Sequence, residues 1–560
     1  MWETAVLPQL LGRNVVVADA FDRHSLAGRE FDIVVGNPPW QSKLTPHAEK
    51  FIADTGHQVA DRQLAQAFLW LAADMLRPGG MLGLIMPSKG LLHNRSRPAR
   101  QFRLDMFHSL HVRAIIDLSA VRRTIFTTAI APAAVLVAAA PAGLSNGEGS
   151  SDLLHVAAHP RSLSNAVDAL IITPEEVRSI SANQARTRPD LWRVLLWGSP
   201  RDLQLLDRLQ ARFPTVRQLA SERQWEWGQG YQVGGGDAND ASEMLGLPIV
   251  ETDSVLPLRI APPPSARFDL PTLHRPREFA LYKAPHVLVR RTIVGGRLAA
   301  ALLRQDAVFP NGVLGVAGPE HDELILAVLA ATIVSSVGHY WHFMTSASWG
   351  VERDFVELNE HLSLPLALPR SRQGKRLLRL IELAHERPIE DLLPALDDVV
   401  FDVYELTEDD RLRVLDRLAF GLDRFRRPRA YESPVDRDTL NAYQRTLREA
   451  LSSTLPEFDI RTELRSEGPY RAVTVTLLDS TSRPERANLV SRHAVLDVDQ
   501  IVRDDRAGKT GTTGIVAQPA GFFVDEDTIY IVKTADIDRW SYDAALDDAG
   551  RILAALAFGD

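Results

Sequence analysis

The chain has no cysteine, which excludes disulfide bridges and every metal site built on thiolates. It also lacks any apolar stretch near the ~20 residues needed to span a bilayer. Its start has no charged segment followed by an apolar one of the kind that directs secretion, so a cytoplasmic protein without membrane contact is expected. An excess of positive charge is missing as well, since the net charge is −9. That deficit is uneven. Residues 431–560 hold 23 Asp and Glu against 15 Lys and Arg, a balance of 15 − 23 = −8, so the remainder is close to neutral. From Arg259 through Arg304 there are nine Lys or Arg against Asp269 and Glu278, a stretch suited to phosphate contact. At 560 residues and 45% hydrophobic content, the chain is long enough for several domains with cores of their own.

What is present begins with Phe31-Asp32-Ile33-Val34-Val35-Gly36, an apolar strand running into Asn37-Pro38-Pro39-Trp40. Neither proline has an N–H and both hold φ near ~−65°, so the turn is stiff and offers acceptors without competing donors. Asn37 Oδ1 and the Pro38 carbonyl can take the two protons of an exocyclic amino group, which keeps the nitrogen lone pair available, and Trp40 can stack on the ring that carries it. The same residues also make an ordinary turn after a strand.

The flanks supply context. Asn14-Val15-Val16-Val17-Ala18-Asp19-Ala20-Phe21 reads as another buried parallel strand. Gln66 to Leu76 reads as a helix with apolar positions at Phe68, Leu69, Ala72 and Leu76, stopped by Arg77-Pro78-Gly79-Gly80. A third buried strand follows at Met81 to Pro87. This alternation predicts an α/β sheet with ligands at the carboxyl ends of its strands, where Asp19 and Asn37 fall.

In these residues the chain resembles the adenine-N6 DNA methyltransferases of restriction-modification systems, in which a target-recognition domain follows the catalytic domain. Asn37-Pro38-Pro39-Trp40 is similar to that family's catalytic motif. Asp19 and Phe21 resemble its acid and aromatic beside the adenine of S-adenosylmethionine. Ile125-Phe126-Thr127-Thr128-Ala129 resembles the loop whose aromatic grips a flipped base, and Val399 to Thr407 resembles a phrase that closes the recognition region. The resemblance covers roughly residues 12 to 415. It implies a partial Rossmann-like methyltransferase sheet, then a mixed α+β target-recognition domain, then an α+β C-terminal domain. It also implies S-adenosylmethionine as cofactor, double-stranded DNA as partner, and Trp40 with Phe126 stacking on the target base.

One part of the family pattern is not found. A glycine-rich turn that holds the methionine end of the cofactor should precede Asp19, and Gly12 stands alone there. The expectation is a split enzyme or a start placed too far downstream, with a partner chain supplying the turn, and an unpaired apolar edge at Asp32 to Gly36. A degenerate relative kept for DNA binding is a third account. A restriction nuclease or another defence subunit is a further expected partner. Methyltransferases acting on protein glutamine or RNA share the turn and remain an alternative, as does a non-catalytic DNA-binding specificity subunit.

Punctuation divides the chain into a catalytic portion at 1–150, a connector at 151–224, a recognition domain at 225–370, a helical segment at 371–430 and an acidic α+β domain at 431–560. Within the recognition domain Arg275, Arg277, Lys283, Arg290, Arg291 and Arg297 are the expected DNA contacts. Trp225, Trp227 and Tyr231 suit either stacking or a core. His339-Tyr340-Trp341-His342 reads as part of a packed helix, and no metal is expected. Gly508-Lys509-Thr510 ends like a phosphate-binding loop, but Arg503 stands where its first glycine is required. The acidic tail is expected to dock a partner subunit.

Overall fold

The computed structural model describes residues 16–22, 29–125, 131–141, 152–160, 170–426, 434–467, 470–479, 515–517, 522–525 and 528–558. The chain forms two compact units, Met1–His159 with Ile172–Leu196, and Pro160–Ile171 with Trp197–Asp560.

The first unit is built on a six-stranded sheet. Its elements in chain order are β1 (Phe31–Gly36), α1 (Pro46–Thr55), α2 (Leu64–Asp74), β2 (Leu76–Pro87), α3 (Arg97–Ser109), β3 (His111–Asp117), β4 (Ala133–Ala139), β5 (Leu153–Ala157) and β6 (Val177–Ile180). The strand order is β1-β2-β4-β3-β5-β6. β1 runs parallel to β2, and β3 parallel to β5, while β4 lies antiparallel between β2 and β3. The carboxyl ends of β1, β2 and β3 therefore share one edge, where an α/β sheet places its ligands.

The sheet's two faces differ. Alternation along the strands puts Leu82, Leu84, Met86, Ala134, Leu136 and Ala138 on one face, all of them buried. On the other, Ile33 opposes Met81 and Val35 opposes Gly83, and Ile33, Val35 and Met81 are 67%, 74% and 42% exposed. Among the described residues β1 pairs only with β2, so the apolar edge expected at Asp32 to Gly36 is present.

Two sequence expectations change here. Asn14 and Val15 lie outside the described residues, and Val16 to Phe21 form no strand: Val17 is 98% exposed. β-Branched residues favour a strand only where a neighbour completes the pleated surface, and here the chain turns instead, with Asp22 N–H donating to the Asp19 carbonyl at 3.0 Å. The expected connector also begins by extending the catalytic sheet, because its strands β5 and β6 pair with β3 and with each other.

The second unit includes α4 (Pro200–Arg212). A four-stranded sheet follows, formed by β7 (Glu226–Gln229), β8 (His286–Arg290), β9 (Ala300–Leu303) and β10 (Val313–Ala317) in the order β9-β8-β10-β7. Beside it Phe268, Tyr282, Leu288, Val308 and Phe309 form a buried core. The helices α5 (Glu323–Val334), α6 (Ser336–Thr345), α7 (Ser371–Leu383), α8 (Ile389–Val403) and α9 (Glu408–Asp416) come next. His339, Tyr340, Trp341 and His342 are all buried in α6, as a packed helix requires. Among the described residues no single helix is long and apolar enough to cross a membrane.

The C-terminal portion comprises α10 (Arg437–Thr454), β11 (Phe458–Glu467), β12 (Tyr470–Asp479), β13 (Phe522–Asp525), β14 (Thr528–Thr534) and α11 (Tyr542–Phe558). In α10 the Asp436 side chain caps the first turn, and Leu440, Tyr443, Leu447 and Leu451 form its buried stripe. That stripe meets Val473, Val475, Ile529, Ile531, Trp540 and Ile552 in one core. The acids of the tail are partly spent inside the fold. Asp543 of α11 receives Arg413 at 2.8 Å and Arg417 at 2.7 Å, while Asp548 pairs with Lys533 and Asp538 with Arg424.

Candidate active site

The Asn37-Pro38-Pro39-Trp40 turn leaves the carboxyl end of β1. Asn37 is exposed, Pro38 is buried and Trp40 is half-buried. Burial of Pro38 anchors the turn, so its carbonyl and the neighbouring Asn37 amide are held by the sheet rather than by a loose loop. The Trp40 indole N–H donates to the Ile85 carbonyl at 3.4 Å, which orients the ring toward the end of β2. Downstream, Gln41 accepts from Leu64 N–H at 2.9 Å, and Thr45 caps α1 by accepting from Ala48 N–H at 3.2 Å, with Pro46 in the first turn.

Asp19 is exposed in the turn that precedes β1. Its Oδ1 accepts from Phe21 N–H at 2.9 Å and its Oδ2 meets His47 Nδ1 at 2.9 Å. The hydrogen bond to His47 and that from Phe21 hold the Asp19 carboxyl below its ordinary range. A carboxylate oxygen has a second lone pair, so Asp19 can still accept from an amino group such as that of an adenine ring. Phe21 is buried, its ring tilted against Phe51 at 5.5 Å and edge-on to Phe68 at 4.8 Å. It anchors the Asp19 turn in the core instead of presenting an open face. Phe126 lies outside the described residues.

A buried polar network lies behind the same edge. Asp117, the last residue of β3, is fully buried and meets His93 Nε2 at 3.2 Å. It also accepts from Ser119 N–H at 2.9 Å, and the Ser119 hydroxyl reaches that of Ser88 at 2.6 Å. Burial pushes the Asp117 carboxyl up, but hydrogen bonding and the charge of His93 outweigh it and hold the group below its usual range. Burial pushes His93 down. No local pattern announces this network, whose members are 24 and 31 positions apart. The His47 partner of Asp19 was missed for the same reason, although Thr45-Pro46 does mark the helix start that places it.

The six cations expected to meet DNA all belong to the second unit. Arg275 is exposed, and Arg277, at φ 75°, donates Nε to the Gly230 carbonyl at 3.2 Å. Lys283 pairs with Asp306 at 2.9 Å, Arg290 with Asp253 at 2.6 Å, and Arg291 with both oxygens of Glu357 at 2.8 and 2.9 Å. Arg297 is half-buried, and desolvation lowers its guanidinium from the ordinary value. An exposed pair such as Lys283–Asp306 is worth roughly 0–1 kcal/mol, so a phosphate can displace the acid there at little cost. Trp225 is a core residue whose Nε1 donates to Asp322 at 2.8 Å; Trp227 and Tyr231 are half-buried, with the Arg217 guanidinium 5.9 Å from the Trp227 ring.

Residues 13–126 match the family model described as Eco57I restriction-modification methylase, a segment of about a fifth of the chain. No curated protein matches the chain. Among solved structures it is similar to the type IIG restriction endonuclease BpuSI, at 14% identity and a TM-score of 0.32, over 73% of this chain and 56% of that one. It is also similar to the type IIL restriction-modification enzyme MmeI in complex with DNA, at 11% identity and a TM-score of 0.40, over 70% of this chain and 57% of that one. The chain thus spans a little over half the length of each of these two proteins.

Proposed function

We propose that this protein takes part in S-adenosylmethionine-dependent methylation of adenine N6 in DNA, within a restriction-modification or phage-defence system. The observation that carries the reading is the Asn37-Pro38-Pro39-Trp40 turn at the carboxyl end of β1, within the segment that matches the restriction-modification methylases. S-adenosylmethionine supplies an electrophilic methyl group on a sulfonium. The residues of this chain hold and orient the base. The target base leaves the duplex at a cost of a few kcal/mol, offset by stacking and hydrogen bonding in the pocket. Trp40, oriented by its bond to Ile85, stacks on the base, with Phe126 as the second aromatic. Asn37 Oδ1 and the Pro38 carbonyl accept the two amino protons, which turns the N6 lone pair out of the ring plane and aims it for transfer. Alignment of this kind supplies much of the rate.

In this reading Asp19 receives the adenine end of the cofactor, and Phe21 holds the Asp19 turn in place. The glycine-rich turn that the family resemblance calls for belongs on a strand paired with the outer edge of β1, whichever chain carries it. Such a strand would meet the edge exposed beside Ile33 and Val35. The arginines of the recognition sheet contact the duplex.

The test is transfer of a radiolabelled methyl group to genomic DNA by the protein in its natural assembly. Asn37→Ala should lower transfer at least about a hundredfold, since it removes one of the aligned acceptors, while duplex affinity stays within twofold. Undiminished transfer by the variant would remove Asn37 from the mechanism.

A further inference from the structure

The turns after β2 and β3 share an unusual composition. From Met75 to Leu104 there are six Lys or Arg (Arg77, Lys89, Arg95, Arg97, Arg100, Arg103) and no Asp or Glu. From Leu118 to Gly147 there are Arg122 and Arg123, and again no acid. Arg77, Arg103 and Arg122 serve the fold. Arg77 pairs with Asp32 at the opposite end of the strands, Arg103 is buried and donates to the Asn94 carbonyl at 2.8 Å, and Arg122 is buried with a bond to the Ser119 carbonyl at 3.3 Å. Lys89 and Arg95 are half-buried, and Arg97, Arg100 and Arg123 are exposed. Arg97 and Arg100 lie on the outer side of α3, with Ala99 and Phe102 facing the core.

The acids of this region are already engaged. Asp117 is buried within the network of His93, Ser119 and Ser88, and Asp61 accepts from Asn94 at 2.6 Å. Asp190 is paired with Arg188 at 2.9 Å. The network also ties the two turns to each other, because Ser88 and His93 follow β2 while Asp117 and Ser119 end β3. Ser88 N–H further donates to Pro132 at 2.9 Å, just before β4. A cationic surface fixed in this way pays little ordering entropy when it binds. It also begins beside the Asn37-Pro38-Pro39-Trp40 turn, since Trp40 is bonded to Ile85, three residues before Ser88.

We infer that these two turns and the start of α3 form a cationic rim, led by Arg97 and Arg100 of α3, that takes backbone phosphates of duplex DNA beside the target adenine. The inference rests on the DNA methyltransferase reading and adds a phosphate contact on the catalytic unit to those expected from the recognition sheet. Phosphate contacts set register and orientation without reading sequence, so the rim holds the strand whose base enters the pocket.

The experiment is duplex binding by fluorescence anisotropy over a range of salt, with an arbitrary fluorescent duplex as probe. For Arg97→Gln with Arg100→Gln, the slope of log affinity against log salt should become shallower by about 1.8, from about 0.9 per lost phosphate contact. Affinity at low salt should drop roughly tenfold, equally for unrelated sequences. Arg97→Gln alone should give about half the slope change, which guards against a folding defect in the pair. Arg113→Gln, an exposed cation within β3, should match the wild type. A folded double variant with unchanged slope and affinity would overturn the rim while leaving the methyltransferase reading in place. Absence of salt-dependent duplex binding by the wild-type protein would overturn both.

Discussion

Trp40 is the residue whose role depends most on its ring. Its indole edge is fixed by the bond to Ile85, and its face is what a flipped base would meet. Base–aromatic stacking is worth about 1–3 kcal/mol, so Trp40→Ala should lower kcat/KM for DNA methylation by roughly ten- to a hundredfold. Trp40→Phe, which keeps a π-face but loses the N–H and the second ring, should recover part of that loss. Equal losses in the two variants, measured by initial rates on genomic DNA, would assign Trp40 to packing instead. At this scale the sequence was legible where chemistry is contiguous: Asn37, Pro38, Pro39 and Trp40 announce an acceptor set in four adjacent positions. Contacts that join distant positions were not legible. His47 reaches Asp19 across 28 positions, and nothing near Phe21 tells whether its ring faces a ligand or, as found, the Phe51 and Phe68 rings.

Among the elements, the long periodic ones followed their sequences. α2 begins at Leu64 and ends at Asp74, two residues from the expected bounds at either end. Short strands did not: Val16 and Val17 look like a strand and pair with nothing among the described residues, while β5 and β6, within the expected connector, join the catalytic sheet. The largest surprise is how the acidic tail is used. Asp202 of α4 and Asp543 of α11 meet at Arg417, at 2.6 and 2.7 Å, and Asp543 also holds Arg413. All four groups are largely buried, so removing one leaves charge without compensation, at a cost of about 3–5 kcal/mol. Asp543→Ala should therefore lower stability by roughly that amount in urea unfolding of the second unit. Asp538→Ala, at a carboxylate less deeply buried than that of Asp543, should cost less. A tail kept only for docking a partner would tolerate Asp543→Ala without loss.

For the whole molecule, the sum of buried histidines sets the response to acid. Burial pushes His155, His286 and His339 down to about 4 and His361 to about 3, and His342 lies well below its ordinary 6.5. Among the described residues, both ring nitrogens of His155, His342 and His361 lack hydrogen-bond partners, so protonation in the folded state would place a bare cation in the core. For each of these five groups the folded value is depressed. Below about pH 6.5 the unfolded chain binds protons that the folded chain refuses, and stability falls as pH falls until the folded values near 4 are reached. Buried carboxyls act in the opposite sense. Asp397, Asp416 and Asp547 are held above their ordinary range by burial, so each favours the folded state as pH falls from its raised value. Three carboxyls oppose these five histidines and His93, which burial also holds down, and the histidines prevail between pH 6.5 and 4. The expected result is a melting temperature that is nearly level from pH 8 to 7 and declines steadily below 6.5. Replacing His361 with Gln, which cannot be protonated, should make that decline shallower; a profile level down to pH 5, read by calorimetry, would mean that these histidines are reached by water in the folded protein.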